Sequence, residues 1–216
     1  MRLQSKEYQH FRAAIVFSFL LALVVTVFVF LYGKEKSFLM VNNNYSLKAD
    51  YFFNYVTYLG DSLIWIPLFV YVLIYKRDFF IAILSALIIC TIITHVFKRV
   101  IFIDEPRPLR LLHDLARAVP LLEGRNNYVN SFPSGHTSTA FTFALLLAFL
   151  VQRNFAIYVF PLIAFLVGYS RVYLAQHFVT DVLAGIFVGI VSSYLALVIY
   201  DYFHRKKKQK QINPSP

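Results

Sequence analysis

Charge is scarce in this chain. Only 15% of its 216 residues are Asp, Glu, Lys or Arg, where a soluble domain carries about 25%. That deficit, set beside long apolar runs, excludes an ordinary soluble domain. Acidic residues are the scarcer sign, 11 against 21 Lys plus Arg, for a net charge of +10. Cysteine is almost missing. The single Cys90 rules out an internal disulfide framework and a cysteine zinc site. It lies in an apolar run and reads as a small lipid- or core-facing residue. No aromatic-plus-basic module of a nucleic-acid binder is visible, so no nucleic-acid partner is expected. There is no repeat of roughly 20–50 residues and no low-complexity stretch before the C-terminal tail.

What is abundant is apolar, 59% of the chain. Residues 13–32 carry no charge and follow a polar stretch holding Arg2, Lys6 and Arg12. That run is too long, and too firmly preceded by polar sequence, for a typical cleaved signal peptide. It is expected to be the first span. Residues 33–50 are polar, with Lys34, Lys36 and a turn at Asn42, Asn43 and Asn44. The aromatic stretch 49–60 (Tyr51, Phe52, Phe53, Tyr55, Tyr58) suits a short helix along the membrane surface. A second span is expected at 62–75, capped by Asp61 or Ser62 and kinked at Pro67. The third covers 79–97, the fourth 137–151, the fifth 155–174 and the sixth 179–203. Charged turns separate them at Lys76-Arg77-Asp78 and around Arg153. The longest polar segment, 98–133, holds Lys98, Arg99, Arg107, Arg110, Arg117 and Arg125. The expected fold is therefore all-α: a polytopic six-transmembrane helix bundle with a short interfacial helix. Residues 1–12 and a basic tail, 204–216 with a disordered end at 213–216, flank a membrane domain at 13–203.

Six spans place both termini on one side. The N-terminus, the 76–78 turn, Arg153 and the basic tail share that side, so it is cytoplasmic by the positive-inside rule. Arginines in the 98–136 motif loop and at Arg171 then face outward, against the rule. An anionic substrate explains them. The basic tail touches anionic lipid, and Gly185 with Gly189 forms a helix-packing pair used inside the bundle.

Three outward clusters supply the parts of a phosphoryl-transfer site. His177 and Asp181 are four apart, which on a helix puts both on one face. A carboxylate so placed fixes an imidazole in one tautomer, and the histidine can act as the nucleophile. Lys98, Arg107 and Arg171 can neutralise phosphate oxygens. Ser134 and the backbone N–H groups of Gly135 and His136 open a helix, a natural anion site. His136 can donate a proton to the leaving oxygen. Fixed cations handle the transition-state charge, so no metal or other cofactor is required.

Pro133-Ser134-Gly135-His136 and Ser170-Arg171, five residues, His177, three residues, Asp181 resemble the second and third signatures of the type 2 phosphatidic acid phosphatase superfamily, which is related to vanadium haloperoxidases. The resemblance spans about residues 50–190. It implies His177 as nucleophile, Asp181 as its partner and His136 as proton donor. It implies Ser134, Gly135, Arg171 and Arg107 as phosphate ligands. The first signature departs: the family has a lysine, six residues, then Arg-Pro, and counting back over six residues from Arg107 gives Val100, not lysine. Lys98 is favoured over Arg99 for that role. Arg99 and Arg110 are also candidates for headgroup contact.

The expectation is an integral-membrane, metal-independent lipid phosphatase with an outward-facing site, in a bacterial inner membrane and facing the periplasm. Its partners are a membrane lipid phosphate and the bilayer itself. Candidate substrates are lipid A, undecaprenyl diphosphate, phosphatidylglycerol phosphate and phosphatidic acid, with the first two favoured by the long arginine-rich loop. Two rivals stand beside it: a phosphotransferase using a lipid diphosphate as donor, and a non-catalytic lipid-binding or transport protein.

Overall fold

The computed structural model describes residues 6–119 and 128–212. Arg2, Arg125 and the end at 213–216 lie outside the described residues. Among those described there are eight α-helices and no strand. They are α1 (Lys6–Asn42), α2 (Leu47–Val56), α3 (Trp65–Tyr75), α4 (Phe80–Val96), α5 (Pro108–Leu111), α6 (Gly135–Val151), α7 (Ala156–Tyr173) and α8 (Val179–Ile212).

Four helical stretches are long and apolar enough to cross a membrane: Lys6–Asn42, Arg77–Ile101, Ala156–Tyr173 and Val179–Lys207. The second expected span is a broken one. Leu47–Gly60 and Trp65–Tyr75 meet at 42° and together make a fifth candidate. The expected kink at Pro67 does not cause that bend. Pro67 sits in the first turn of α3, where its missing N–H would have no helical partner anyway. The break comes earlier, at Asp61, which caps the turn Ser62–Ile64 by accepting from Leu63 N–H. The expected fourth span, α6, has only 17 residues.

Two helices run further than their apolar runs. α1 continues to Asn42 past a non-helical Gly33 (φ 75°), so residues 34–42 are helix rather than polar loop. There Phe38 and Asn42 are fully buried. Asn42 donates to Tyr173 C=O at 2.9 Å and accepts from Arg117 N–H at 2.7 Å. α8 likewise passes residue 203 unbroken, so the basic tail starts as helix, and Lys207 pairs with Asp78 at 2.7 Å.

α6 lies at the centre, packed on α7, α8 and α1. In a bilayer, helices gain little from leaving lipid, so close packing by small residues carries the association. A Cβ on Gly189 would come within 2.5 Å of Phe141 Cβ, and one on Gly185 within 2.8 Å of Thr137 Cβ. The Gly185/Gly189 pair is therefore consumed inside the bundle. Hydroxyls within the spans bond their own backbone: Ser18 to Ala14 C=O and Thr142 to Ser138 C=O.

The two ends of the bundle differ. At one, Gln152 bonds Glu7, His10 meets Asn154, and Lys207 meets Asp78. At the other, the C-terminal ends of α4 and α7 meet the N-terminal ends of α6 and α8. Arg117 braces this second end. It forms a two-pronged bridge to Asp50 at 2.7 and 3.1 Å and lies over the Tyr45 ring. It is a structural clamp.

Candidate active site

The four helix ends converge because the loops between them are tied together. Arg107 N–H donates to Tyr128 C=O, and Ser131 N–H to Glu105 C=O. This folds the two flanks of the 98–136 loop side by side. Ser134 N–H then donates to Asp181 C=O at 3.0 Å, fixing the start of α6 to the start of α8.

His177 is not on a helix. It lies in the short bend between α7 and α8, whose backbone folds back so that the N–H groups of Gln176 and His177 both donate to Arg171 C=O. Asp181 is in the first turn of α8. The two still meet, Nδ1 to Oδ2 at 3.4 Å, and both are almost fully buried. The pairing comes from the bend rather than from one helix face. Asp181 Oδ2 also accepts from Phe178 N–H at 2.9 Å and Ser131 O–H at 2.5 Å. Nδ1 thus faces the carboxylate and Nε2 is the nitrogen left to react. Burial holds His177 well below the ordinary imidazole pKa, and the Arg107, Lys98 and Arg171 cations add to the effect.

Arg107 ends the loop before α5, where Pro108 takes the first helical position. Its guanidinium is held by Val129 C=O at 2.9 Å and Gln176 C=O at 2.9 Å. Arg171, 8% exposed, donates to Thr57 Oγ1 at 2.7 Å. Its Nε is buried with no hydrogen-bond partner. Lys98 reaches the same cluster, donating to Asn130 C=O at 3.1 Å, and acts electrostatically with Arg107, Arg171 and Asp181. Arg99 and Arg110 are exposed and do not join it. One of the two extra residues between Lys98 and Arg107 has a local cause: Phe97–Ile101 is a π-helical turn, closed by Phe102 N–H to Phe97 C=O at 2.8 Å. Such a turn takes in one more residue than an α-turn and rotates what precedes it.

Ser134 is the N-cap of α6 and is fully buried, accepting from Thr137 N–H and Thr137 O–H. Its own O–H remains to donate. The N–H groups of Gly135 and His136 are in the first turn, where an α-helix has no internal partner for them. Gly135, His136, Thr94, His95, Asp61 and Trp65 line a chamber of about 230 Å³. A Cβ on Gly135 would meet only Thr94 Cγ2, at 3.7 Å. Protein packing does not demand glycine there; the space it leaves belongs to the chamber. Sequence reasoning missed Ser131, Gln176 and Thr57, which orient Asp181, Arg107 and Arg171. None of the three belongs to a spaced pattern with its partner, and nothing short of the fold brings them together. Among the described residues no group of three or more His, Cys, Asp or Glu side chains could hold a metal ion.

Two imidazoles, three cations and a buried carboxylate, gathered at one end of an all-helical multi-pass membrane bundle, define the class as a membrane phosphatase. The model for the PAP2 superfamily matches residues 79–205, and the chain belongs to that superfamily. It is 28% identical to the lipid A 4'-phosphatase of Porphyromonas gingivalis over 76% of this chain and 72% of that protein. It is 29% identical to the undecaprenyl-diphosphatase of Sulfolobus acidocaldarius over 83% of this chain and 88% of that one. The crystal structure of Aquifex aeolicus LpxE superposes with a TM-score of 0.67 at 30% identity, covering 76% of this chain and 94% of that chain. The chain is thus an enzyme, a hydrolase of phosphoric esters.

Proposed function

We propose that the chain removes phosphate from a membrane lipid, as a phosphomonoester or diphosphate, through a phosphohistidine on His177 and without a metal. One observation carries the reading: His177, buried and oriented by Asp181, lies within electrostatic reach of Lys98, Arg107, Arg171 and His136. Lys98, Arg107, Arg171, Ser134 and the N–H groups of Gly135 and His136 hold the phosphate oxygens. The buried, unpartnered Nε of Arg171 is one such donor. His177 Nε2 gives its lone pair to phosphorus. The P–O bond breaks, its electron pair goes to the leaving oxygen, and His136 supplies that oxygen's proton. Water then attacks phosphorus and passes a proton to His136, and the P–N electron pair returns to His177.

In this reading the α2–α3 pair and α6 complete six spans with α1, α4, α7 and α8. The basic end is cytoplasmic and the site faces the periplasm of a bacterial inner membrane. The substrate class is shared with the named relatives, and the arginine-rich loop favours lipid A or undecaprenyl diphosphate over phosphatidylglycerol phosphate and phosphatidic acid.

Phosphate release from a panel of these four purified lipids tests the activity. Brief incubation with labelled substrate and quenching in alkali should trap an acid-labile phosphoenzyme in wild type and none in His177→Ala. No release from any lipid would sink the enzyme reading. Release only when a second acceptor is added would select a phosphotransferase. A chelator should leave the rate unchanged.

A further inference from the structure

α6 is the central helix, yet one side of it is left uncovered. Between Thr137 and Leu150 its residues are buried except Thr139, Phe143, Leu147 and Leu150, which are half-buried. They fall three or four apart, so they form a single stripe of the helix. Trp65, at the start of α3, meets that stripe edge-on at Phe143, with 5.4 Å between ring centroids. Beyond Trp65, α3 packs chiefly on α4 and on its own flanking turns. This leaves a groove of about 800 Å³, walled by Pro67, Leu68 and Tyr71 on one side and by Phe143, Leu147 and Leu150 on the other. Phe143 and Leu147 also wall a smaller apolar slot of about 190 Å³, which continues past Ala140 between α6 and α7. From Ala140 to Val151 is about 16 Å of helix, the share of one leaflet in a hydrocarbon core of roughly 30 Å.

The mouth of the groove, at the basic end of the bundle, carries one sign of charge. Lys6 of α1, Lys76 after α3 and Arg153 after α6 line it, and no acidic residue does. All three are exposed, and none forms an ion pair among the described residues. Their neighbours are matched, Lys207 to Asp78 and Arg205 to Asp201. Glu7, Asp78 and Asp201 line the adjoining pocket instead. An apolar slot one leaflet deep beneath three unmatched cations complements a lipid with an anionic head.

We propose that this groove seats one anionic phospholipid of the leaflet at the basic end, its phosphate between Lys6, Lys76 and Arg153 and one acyl chain along the Phe143–Leu150 stripe. The lipid is bound and not hydrolysed, since the groove opens at the end of the bundle opposite His177. In the proposed orientation that leaflet is the cytoplasmic one. The chain fills the gap between α3 and α6. It thereby holds α3 against the central helix, and with it Trp65 at the wall of the His136 chamber. None of this depends on the phosphohistidine mechanism.

The bland alternative is that the three cations are solvated and only set topology. Such charges attract an anionic surface wherever they sit, and filling an apolar wall beside them would change nothing.

The test is native mass spectrometry of the full-length protein in detergent, titrated with dioleoyl phosphatidylglycerol or dioleoyl phosphatidylcholine. Both are phosphodiesters, outside the proposed reaction. Wild type should bind one phosphatidylglycerol at least about tenfold more tightly than phosphatidylcholine. Lys6→Gln, Lys76→Gln and Arg153→Gln combined should abolish that preference. Lys206→Gln, Lys208→Gln and Lys210→Gln combined, which remove three charges from the tail, should keep it. Leu147→Trp, which plugs the groove and leaves its cations, should weaken phosphatidylglycerol binding by at least about tenfold. If Leu147→Trp melts early without lipid, Leu150→Trp takes its place. Equal binding of the two lipids by wild type would overturn the proposal. So would a preference that survives in the groove triple, or one that falls as far in the tail triple. Undiminished binding by the plugged variant would also overturn it, leaving a charged surface with no seat for a chain.

Discussion

Ser131 Oγ lies 2.5 Å from Asp181 Oδ2, across 50 residues of sequence. The same oxygen receives Phe178 N–H and faces His177 Nδ1. Asp181 therefore orients the histidine while itself being oriented from the loop that leads into α6. Removing one hydrogen bond to a buried charge costs about 1.5–3 kcal/mol. If that cost falls on the attack step, Ser131→Ala should lower kcat by about tenfold to a hundredfold with the fold intact. Asp181→Asn should be more severe, because it removes the charge and leaves one acceptor oxygen where the carboxylate had two. Steady-state kinetics beside a thermal melt separate the two effects. A Ser131→Ala rate equal to wild type would mean the contact is idle.

His177 must be neutral to attack. Its burial among Arg107, Lys98 and Arg171 holds it neutral well below the ordinary imidazole pKa of about 6.5. As pH falls through that value, the free enzyme should keep its nucleophile. The acid limb of kcat/KM should therefore lie clearly below pH 6.5, once the titration of the substrate phosphate is allowed for. A limb at or above that value would mean that His177 meets water and titrates freely.

Lys98 and Arg99 are neighbours in sequence with different surroundings. Lys98 is partly buried, tied to Asn130 C=O and near Arg107 and Arg171, whereas Arg99 is exposed. Lys98→Ala should raise KM and lower kcat, together at least about a hundredfold in kcat/KM, since it strips one fixed charge from the phosphate. Arg99→Ala should stay within about threefold of wild type, the scale of an exposed charge. The reverse ranking would put Arg99 in the site and require the π-turn to rewind.

The same stretch shows where the sequence was legible. The helices of the membrane domain were readable from uninterrupted apolar runs, because lipid demands them. Their ends were not. Residues 34–42 look polar, yet Asn42 and Ser37 are buried against α7 and the loop, so tertiary contacts carry the helix on. His177 and Asp181 were legible as a pair, although the structure joins them through a bend. The Lys98 offset was visible as a register error, but the π-turn that takes up one of its two residues is a backbone hydrogen-bond pattern with no side-chain signature. The Ser131 and Thr57 contacts depend on which loops touch, which spacing does not encode.

Gly189 of α8 packs directly against Phe141 of α6. Alanine at 189 would put its Cβ 2.5 Å from Phe141 Cβ and 3.0 Å from Thr142 N, positions neither helix backbone can yield cheaply. Overpacking of this kind costs about 1–3 kcal/mol. Gly189→Ala should therefore lower the melting temperature of the detergent-solubilised protein by several degrees. Gly185→Ala should do the same, with an added loss of activity. Its Cβ would press on Ser134 C=O at 2.9 Å, moving the N-terminus of α6 that presents Gly135 and His136. Gly33→Ala is the contrast, since nothing lies within 4 Å of a Cβ there. Its cost is confined to the left-handed backbone at φ 75°. If Gly185→Ala and Gly189→Ala both melted as wild type, the close contact of α6 and α8 would have to open, and with it the link between Ser134 and Asp181.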